Sequence, residues 1–133
     1  MVVVDGQGIP LGSQLASASP AEVTLCESTL ACVPARPKQI RRLIVDRGYD
    51  SDPLRHRLKA RGIQMICPHR YNRIKPNTQD GRALRRYRHR WKIERTFAWL
   101  GNWRRLTVRY ERSLIVYKAF FHIACLLITL RHF

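Results

Sequence analysis

At 133 residues the chain has material for one hydrophobic core and not for two. With 45% hydrophobic and 26% charged residues it has the apolar surface that a disordered chain lacks. The net charge of +16 is lopsided: residues 1–52 hold 5 basic and 6 acidic side chains, residues 53–133 hold 20 and 3, and such a split points to a polyanion, most often nucleic acid.

In chain order, Val2-Val3-Val4, the turn Asp5-Gly6-Gln7-Gly8 and Ile9-Pro10-Leu11 predict a β-hairpin over about 2–14, since glycine takes positive φ in such turns at no steric cost. Leu15 to Ser19 is expected to extend the second strand. Ser19-Pro20-Ala21-Glu22 reads as a helix start, with Ser19 as cap, and the helix runs to about Leu30 before Pro34 and Pro37 stop it. Arg42 to Val45 is a short buried strand ending on Asp46, and Gly48 gives it a sharp exit. Ser51-Asp52-Pro53 opens a helix through Leu54, Leu58 and Ala60 that Arg61-Gly62 closes, and Ile63 to Cys67 returns as a strand. Strand, helix, strand of this size is a βαβ unit with parallel strands.

Residues 69–82 form a polar, basic loop. From Ala83, the residues Tyr87, Trp91, Glu94 and Ala98 recur at helical spacing until Gly101-Asn102 bends or ends the run. A last helix over 114–132 is apolar nearly all round. Its apolar run, 114–130, sits at the lower limit of a membrane span and contains Lys118 and His122, so a buried helix is preferred to an anchor. Cys26, Cys32, Cys67 and Cys125 lack metal-ligand or disulfide spacing and are expected as buried thiols in a reducing cytosol. The whole, 1–133, is read as one α/β domain.

Asp46 stands at the carboxyl end of a strand, where open α/β sheets gather functional groups. Asp50 reads as a solvated turn carboxylate and Asp52 as a helix-start residue. Glu94 is the one acid between Asp80 and Glu111, among Arg82, Arg85, Arg86, Arg88, Arg90, Lys92 and Arg95. Its plain role is an i−4 pair with Arg90, worth a few tenths of a kcal/mol. Its functional role is to meet Asp46 and bind a divalent cation through hard oxygens, which suits Mg²⁺. The basic band, with Arg70, Arg73 and Lys75, can track a DNA backbone. Trp91, Trp99 and Trp103 fall on one helical face and are expected in the core, ahead of a base-stacking role. Tyr71 and Tyr110 stand beside arginines and are weaker candidates for touching DNA, while His69 and His89 read as surface groups.

Val45-Asp46-Arg47-Gly48-Tyr49-Asp50-Ser51 followed by Tyr87-x-x-Arg90-x-x-x-Glu94 resembles the catalytic core of bacterial insertion-sequence DDE transposases, nearest to insertion sequence family five in the RNase H-like superfamily. Cys67-Pro68-His69-Arg70, the run 90–100 and Arg109-Tyr110-Glu111-Arg112-Ser113 are similar too. The resemblance implies an RNase H-like mixed sheet flanked by helices, with Asp46 and Glu94 as the second and third acids of the triad. It implies two Mg²⁺ ions, with Mn²⁺ able to substitute, and supporting roles for Tyr87 and Arg90. Arg86, Arg90, Lys92, Arg95, Arg104 and Arg105 become DNA contacts, the last two in place of a family lysine where this chain has Gly101. The first acid belongs on a central strand before the hairpin. Asp5, a turn residue, does not suit that place, so the chain is expected to be the C-terminal part of a catalytic domain, with open strand edges and a tendency to self-associate. Implied partners are DNA and the N-terminal part of the transposase, in a bacterial cytoplasm at the nucleoid. A catalytically dead DNA-binding remnant is the alternative, and a membrane-associated cationic protein a distant third.

Overall fold

The computed structural model describes residues 1–17, 19–34 and 39–132. Pro37, expected to help stop the first helix, and Ala18, in the expected strand extension, lie outside them, as does Phe133. The described elements, in order, are β1 (Val2–Val4), β2 (Pro10–Ser13), α1 (Glu22–Ala31), β3 (Arg42–Ile44), α2 (Asp52–Ala60), β4 (Gln64–Ile66), α3 (Gly81–Leu84), α4 (Trp91–Gly101), α5 (Arg104–Thr107) and α6 (Leu114–Leu130). Two 3₁₀ segments, Arg47–Tyr49 and Arg85–Arg90, sit before α2 and α4. The mixed α/β class is the expected one.

The strands form two separate ladders. β1 and β2 pair antiparallel with Val2 opposite Ser13 and Val3 opposite Gly12, and the register slips between Val3 and Val4. β3 and β4 pair parallel, Leu43 opposite Met65, as the βαβ reading requires. No hydrogen bonds join the two ladders among the described residues. The hairpin turn is held by Asp5, whose Oδ1 accepts from the N–H groups of Gln7 (2.7 Å) and Ile9 (2.9 Å). β2 stops at Ser13, short of the expected extension, and Leu15 leaves to pack against α6.

Helix limits follow local chemistry. α2 starts where the Ser51 hydroxyl accepts from Leu54 N–H and Pro53 takes an early position that needs no donor. It ends on Gly62 at φ +75, where Gly62 N–H bonds Lys59 O and Ile63 N–H bonds Leu58 O. That is a Schellman end, and it drops Ile63 into the core. For α1 the expected Ser19 cap is not formed: the cap position is Ala21, which offers no side-chain acceptor. Gly48 lies in the 3₁₀ turn without positive φ.

Two clusters make the core. Cys26, Leu30, Leu54, Leu58, Ile63, Met65 and Cys67 join α1, α2 and β4, while Leu100, Phe121, Ala124 and Ile128 join α4 and α6. β1 serves both, since alternate side chains point to opposite faces: Val3 meets the first cluster and Val2 the second. α6 is not the buried helix that its composition suggests. It buries Phe121, Ala124 and Ile128 on one stripe and leaves Ile115, Ile123, Leu126 and Leu130 exposed. No helix among the described residues is long and apolar enough to cross a membrane. Of the tryptophans, Trp99 and Trp103 pack on the second cluster, but Trp91 is half exposed, contrary to its expected place in the core. The four cysteines are free thiols. Burial pushes Cys26 and Cys67 up to about 11, whereas Cys32 is exposed and Cys125 only partly covered, so the expectation of four buried thiols holds for two.

Candidate active site

The parallel ladder ends by delivering Asp46. Val45 N–H still bonds Ile66 O, and the next residue turns out of the ladder. Asp46 Oδ1 then accepts from Arg47 N–H at 2.7 Å, which caps the 3₁₀ turn and fixes the carboxylate at the strand end. Forty-one positions later the Tyr87 hydroxyl donates to the same oxygen at 2.9 Å.

The segment that brings Tyr87 changes helical period. Residues 85–90 are 3₁₀, with three residues per turn, so Tyr87 and Arg90 stand one above the other, and the guanidinium touches the phenol oxygen at 3.3 Å. From Trp91 the backbone is α-helical, and Glu94 lies four residues beyond Arg90 on the same face. Spacings of three and then four in Tyr87-x-x-Arg90-x-x-x-Glu94 therefore trace one line across two kinds of helix.

Arg90 joins the two acids. One terminal nitrogen is 2.8 Å from Asp46 Oδ1 and the other 2.5 Å from Glu94 Oε1. The carboxylates are open to water, at 56% and 58% side-chain exposure, so these pairs add little to stability. Partial burial would raise the pKa of Asp46, but the Arg47 N–H, the Tyr87 hydroxyl and Arg90 outweigh it and hold the carboxyl below the usual range. Arg90 is driven the other way, chiefly by its bond to Glu94.

A divalent cation fits this donor set. Asp46 Oδ2 and Glu94 Oε2 take no hydrogen bond among the described residues, and a guanidinium already occupies the cationic position between the two acids. No cluster of three or more His, Cys, Asp or Glu occurs among the described residues. Mg²⁺ is commonly held by one or two carboxylates, with waters and substrate phosphates completing the shell.

Of the six expected DNA contacts, Arg86 is exposed beside this site and Arg90 is within it. Lys92 and Arg95 point elsewhere: they donate to the carbonyls of Gly6 and Gln7 in the hairpin turn, and the Arg95 guanidinium lies over the rings of Trp91 (4.9 Å) and Trp99 (4.7 Å). Arg104 and Arg105, on α5, line a shallow hollow with Tyr110, and Arg105 is paired with Glu111 at 2.6 Å.

Sequence reasoning missed the neighbouring polar centre. Asp50 is no solvated turn residue; its side chain is 3% exposed. It accepts from Arg55 at 2.9 Å, His69 at 3.0 Å and Arg70 N–H at 2.9 Å. His69 is likewise no free surface group. Its Nε2 accepts from Thr78 N–H at 3.0 Å, so the neutral ring carries its proton on Nδ1, which donates to Asp50. Asp52 is the helix-start residue expected, and it also takes a two-pronged bond from Arg73. The signal lies in Cys67-Pro68-His69-Arg70, a run that resembles transposases but by itself shows no partner for either polar residue.

A strand-end aspartate, a tyrosine, an arginine and a helical glutamate thus meet in one hydrogen-bonded group. The family model described as the transposase DDE domain matches residues 1–129, and the chain belongs to that family. It is 36% identical over 134 residues to a Burkholderia cepacia protein named as a transposase for insertion sequence element IS402, covering 96% of this chain and 60% of that one. It is 32% identical over 133 residues to a Brucella ovis protein named as a transposase for insertion sequence element IS6501, covering 97% and 95%. The chain thus spans about three-fifths of the first relative and nearly all of the second. No solved structure matches it.

Proposed function

We propose that this transposase chain takes part in metal-dependent DNA strand cleavage and strand transfer, with Asp46 and Glu94 as metal ligands. The observation that carries this reading is the single Arg90 guanidinium on both acids, drawn from a strand end and a helix 48 positions apart. Ions bound there would polarise the scissile phosphate and ready a water or 3′-hydroxyl for in-line attack. Tyr87 holds Asp46 in place by its hydrogen bond. Arg90 bonds both acids at once, and it is free to exchange a carboxylate for a phosphate oxygen, for which its planar fork is suited. Arg86, Arg104 and Arg105 lie outside this group and supply contacts to the DNA backbone.

The same reading includes an RNase H-like sheet of the family-five kind. A further strand between β1 and β3 would carry the first acid and join the two ladders, and a longer transposase would contribute it. Self-association and work on DNA at the nucleoid belong to it as well. The second reading, a DNA-binding chain without chemistry, is favoured by one fact: among the described residues no group of three or more His, Cys, Asp or Glu is placed to hold a metal ion.

Supercoiled plasmid with Mg²⁺ or Mn²⁺ separates the two. Under the first reading the chain, joined to any upstream part its gene encodes, converts plasmid to nicked circle. Glu94→Gln then lowers the rate by at least about 10²-fold while DNA affinity stays within about threefold. Nicking undiminished in Glu94→Gln overturns the site; no nicking by the joined protein selects the binding-only reading.

A further inference from the structure

The loop from His69 to Pro76 is braced at every polar position near its base. His69 bridges Asp50 and Thr78, and Arg70 bonds Asp50 through its N–H and Gly48 O through its guanidinium at 2.8 Å. Arg73 grips Asp52 at 2.9 and 3.1 Å and also the carbonyls of Lys75 and Pro76. Gln79 closes the base by bonding Cys67 O at 2.7 Å. A loop held this firmly has little freedom to tuck its apolar side chains away, and it presents two of them outward: Tyr71 is 92% and Ile74 100% exposed.

The location is as telling as the exposure. Arg47, the residue after Asp46, lays its guanidinium 4.0 Å from the centre of the Tyr71 ring. The ring therefore stands beside the strand end that bears the candidate metal ligand. Arg70, Arg73 and Lys75 lie within four positions of Tyr71 in the same loop, and the acids Asp50 and Asp52 are already paired with cations. Such a setting attracts a polyanion and then offers it an aromatic ring and an aliphatic branch.

We propose that Tyr71 and Ile74 form a wedge that enters DNA between neighbouring bases next to the phosphate brought to Asp46, the arginine-backed ring taking up a base that has left its stack. Apolar side chains inserted at a base step trade a few kcal/mol of unstacking for contact with the bent duplex, and base–aromatic stacking returns part of it whatever the sequence. The inference rests on Asp46 being the place where a strand is cut.

The test reads binding alone, so it is separate from nicking. A fluorescein-labelled duplex is compared with the same duplex carrying a central single-stranded gap, in which the unstacking has already been done. Wild type is expected to bind the gapped DNA about tenfold more tightly. In Tyr71→Ala and Ile74→Ala that preference falls to about threefold or less, while thermal melting stays near wild type, because neither side chain is buried. Tyr71→Phe keeps the preference, since the ring and not the phenol oxygen does the stacking. Equal affinity for both DNAs in wild type overturns the wedge, as does a preference that survives in both alanine variants. A Tyr71-dependent preference in a protein that never nicks retires the cleavage reading and leaves the wedge as a binding device.

Discussion

Asp50 shows how one residue differs from its sequence appearance. It follows Gly48-Tyr49, in a stretch that reads as a turn, and nothing local reveals that Arg55, His69 and the backbone of Arg70 converge on it. Asp46 and Glu94 were legible because a strand end and a helical spacing are local features; the Asp50 centre is made by elements 19 and 20 positions away. Burial would raise its pKa, yet those three donors hold it down at about 2. The folded value is thus below that of the unfolded chain. The stabilisation is complete above about pH 4, the ordinary carboxyl value, and is lost as pH falls toward 2. Asp50→Asn should cost about 3 kcal/mol in urea unfolding at neutral pH, because Arg55 is left without its buried partner. It should also flatten the acid limb of the stability curve below pH 4. A stability–pH profile that superimposes on wild type would refute the hub.

Among the elements, α4 was expected to carry a basic band for DNA, and the expectation fits only part of it. The face with Lys92, Arg95 and Thr96 grips the hairpin turn: these side chains donate to the carbonyls of Gly6, Gln7 and Gly8 in succession, Thr96 at 2.5 Å. The helical spacing of the two cations and the threonine is visible in the sequence, but a turn with three outward carbonyls is a long-range partner that periodicity does not show. Gly8 is at φ +85, and an added Cβ would lie 3.1 Å from Lys92 O and Thr96 Oγ1. Gly8→Ala should therefore destabilise by about 2 kcal/mol or more. Thr96→Val should cost about 1–3 kcal/mol by leaving the Gly8 carbonyl buried and unpaired. Arg86→Ala, outside the clamp, should leave melting unchanged and lower the salt slope of DNA binding by about one. An equal slope change in Arg95→Ala with no loss of stability would show that the clamp has been misassigned.

At the scale of the molecule, the order of elements and the parallel βαβ unit were plain from apolar runs and breakers, whereas the solvent-facing side of α6 was not. Composition says that 114–130 is apolar and cannot say which neighbours are present to cover it; Phe121, Ala124 and Ile128 pack in the second cluster, while Ile115, Ile123, Leu126 and Leu130 stay exposed among the described residues. A face of that kind, together with two ladders of two strands each, favours association, against the repulsion of a net charge of +16. Sedimentation should show oligomers that grow as salt rises, because screening removes the repulsion and spares the apolar contact. Leu126→Glu with Leu130→Glu should shift the population to monomer without loss of helix. A monomer at all concentrations and salts would rule out this account.

The clamp on the hairpin also sets a schedule for synthesis. Thr96 and Gly8 are 88 positions apart. At about 5–20 residues per second, the turn leaves the ribosome roughly 4–18 s before the helix that will hold it. Until then the bonds available to the turn are its own: the Asp5 carboxylate on the Gln7 and Ile9 amides and the backbone pairs of Asp5 with Ile9 and Gly8. The turn's local bonds can thus be made a full 88 positions of synthesis before the last of the three side chains that bind its carbonyls.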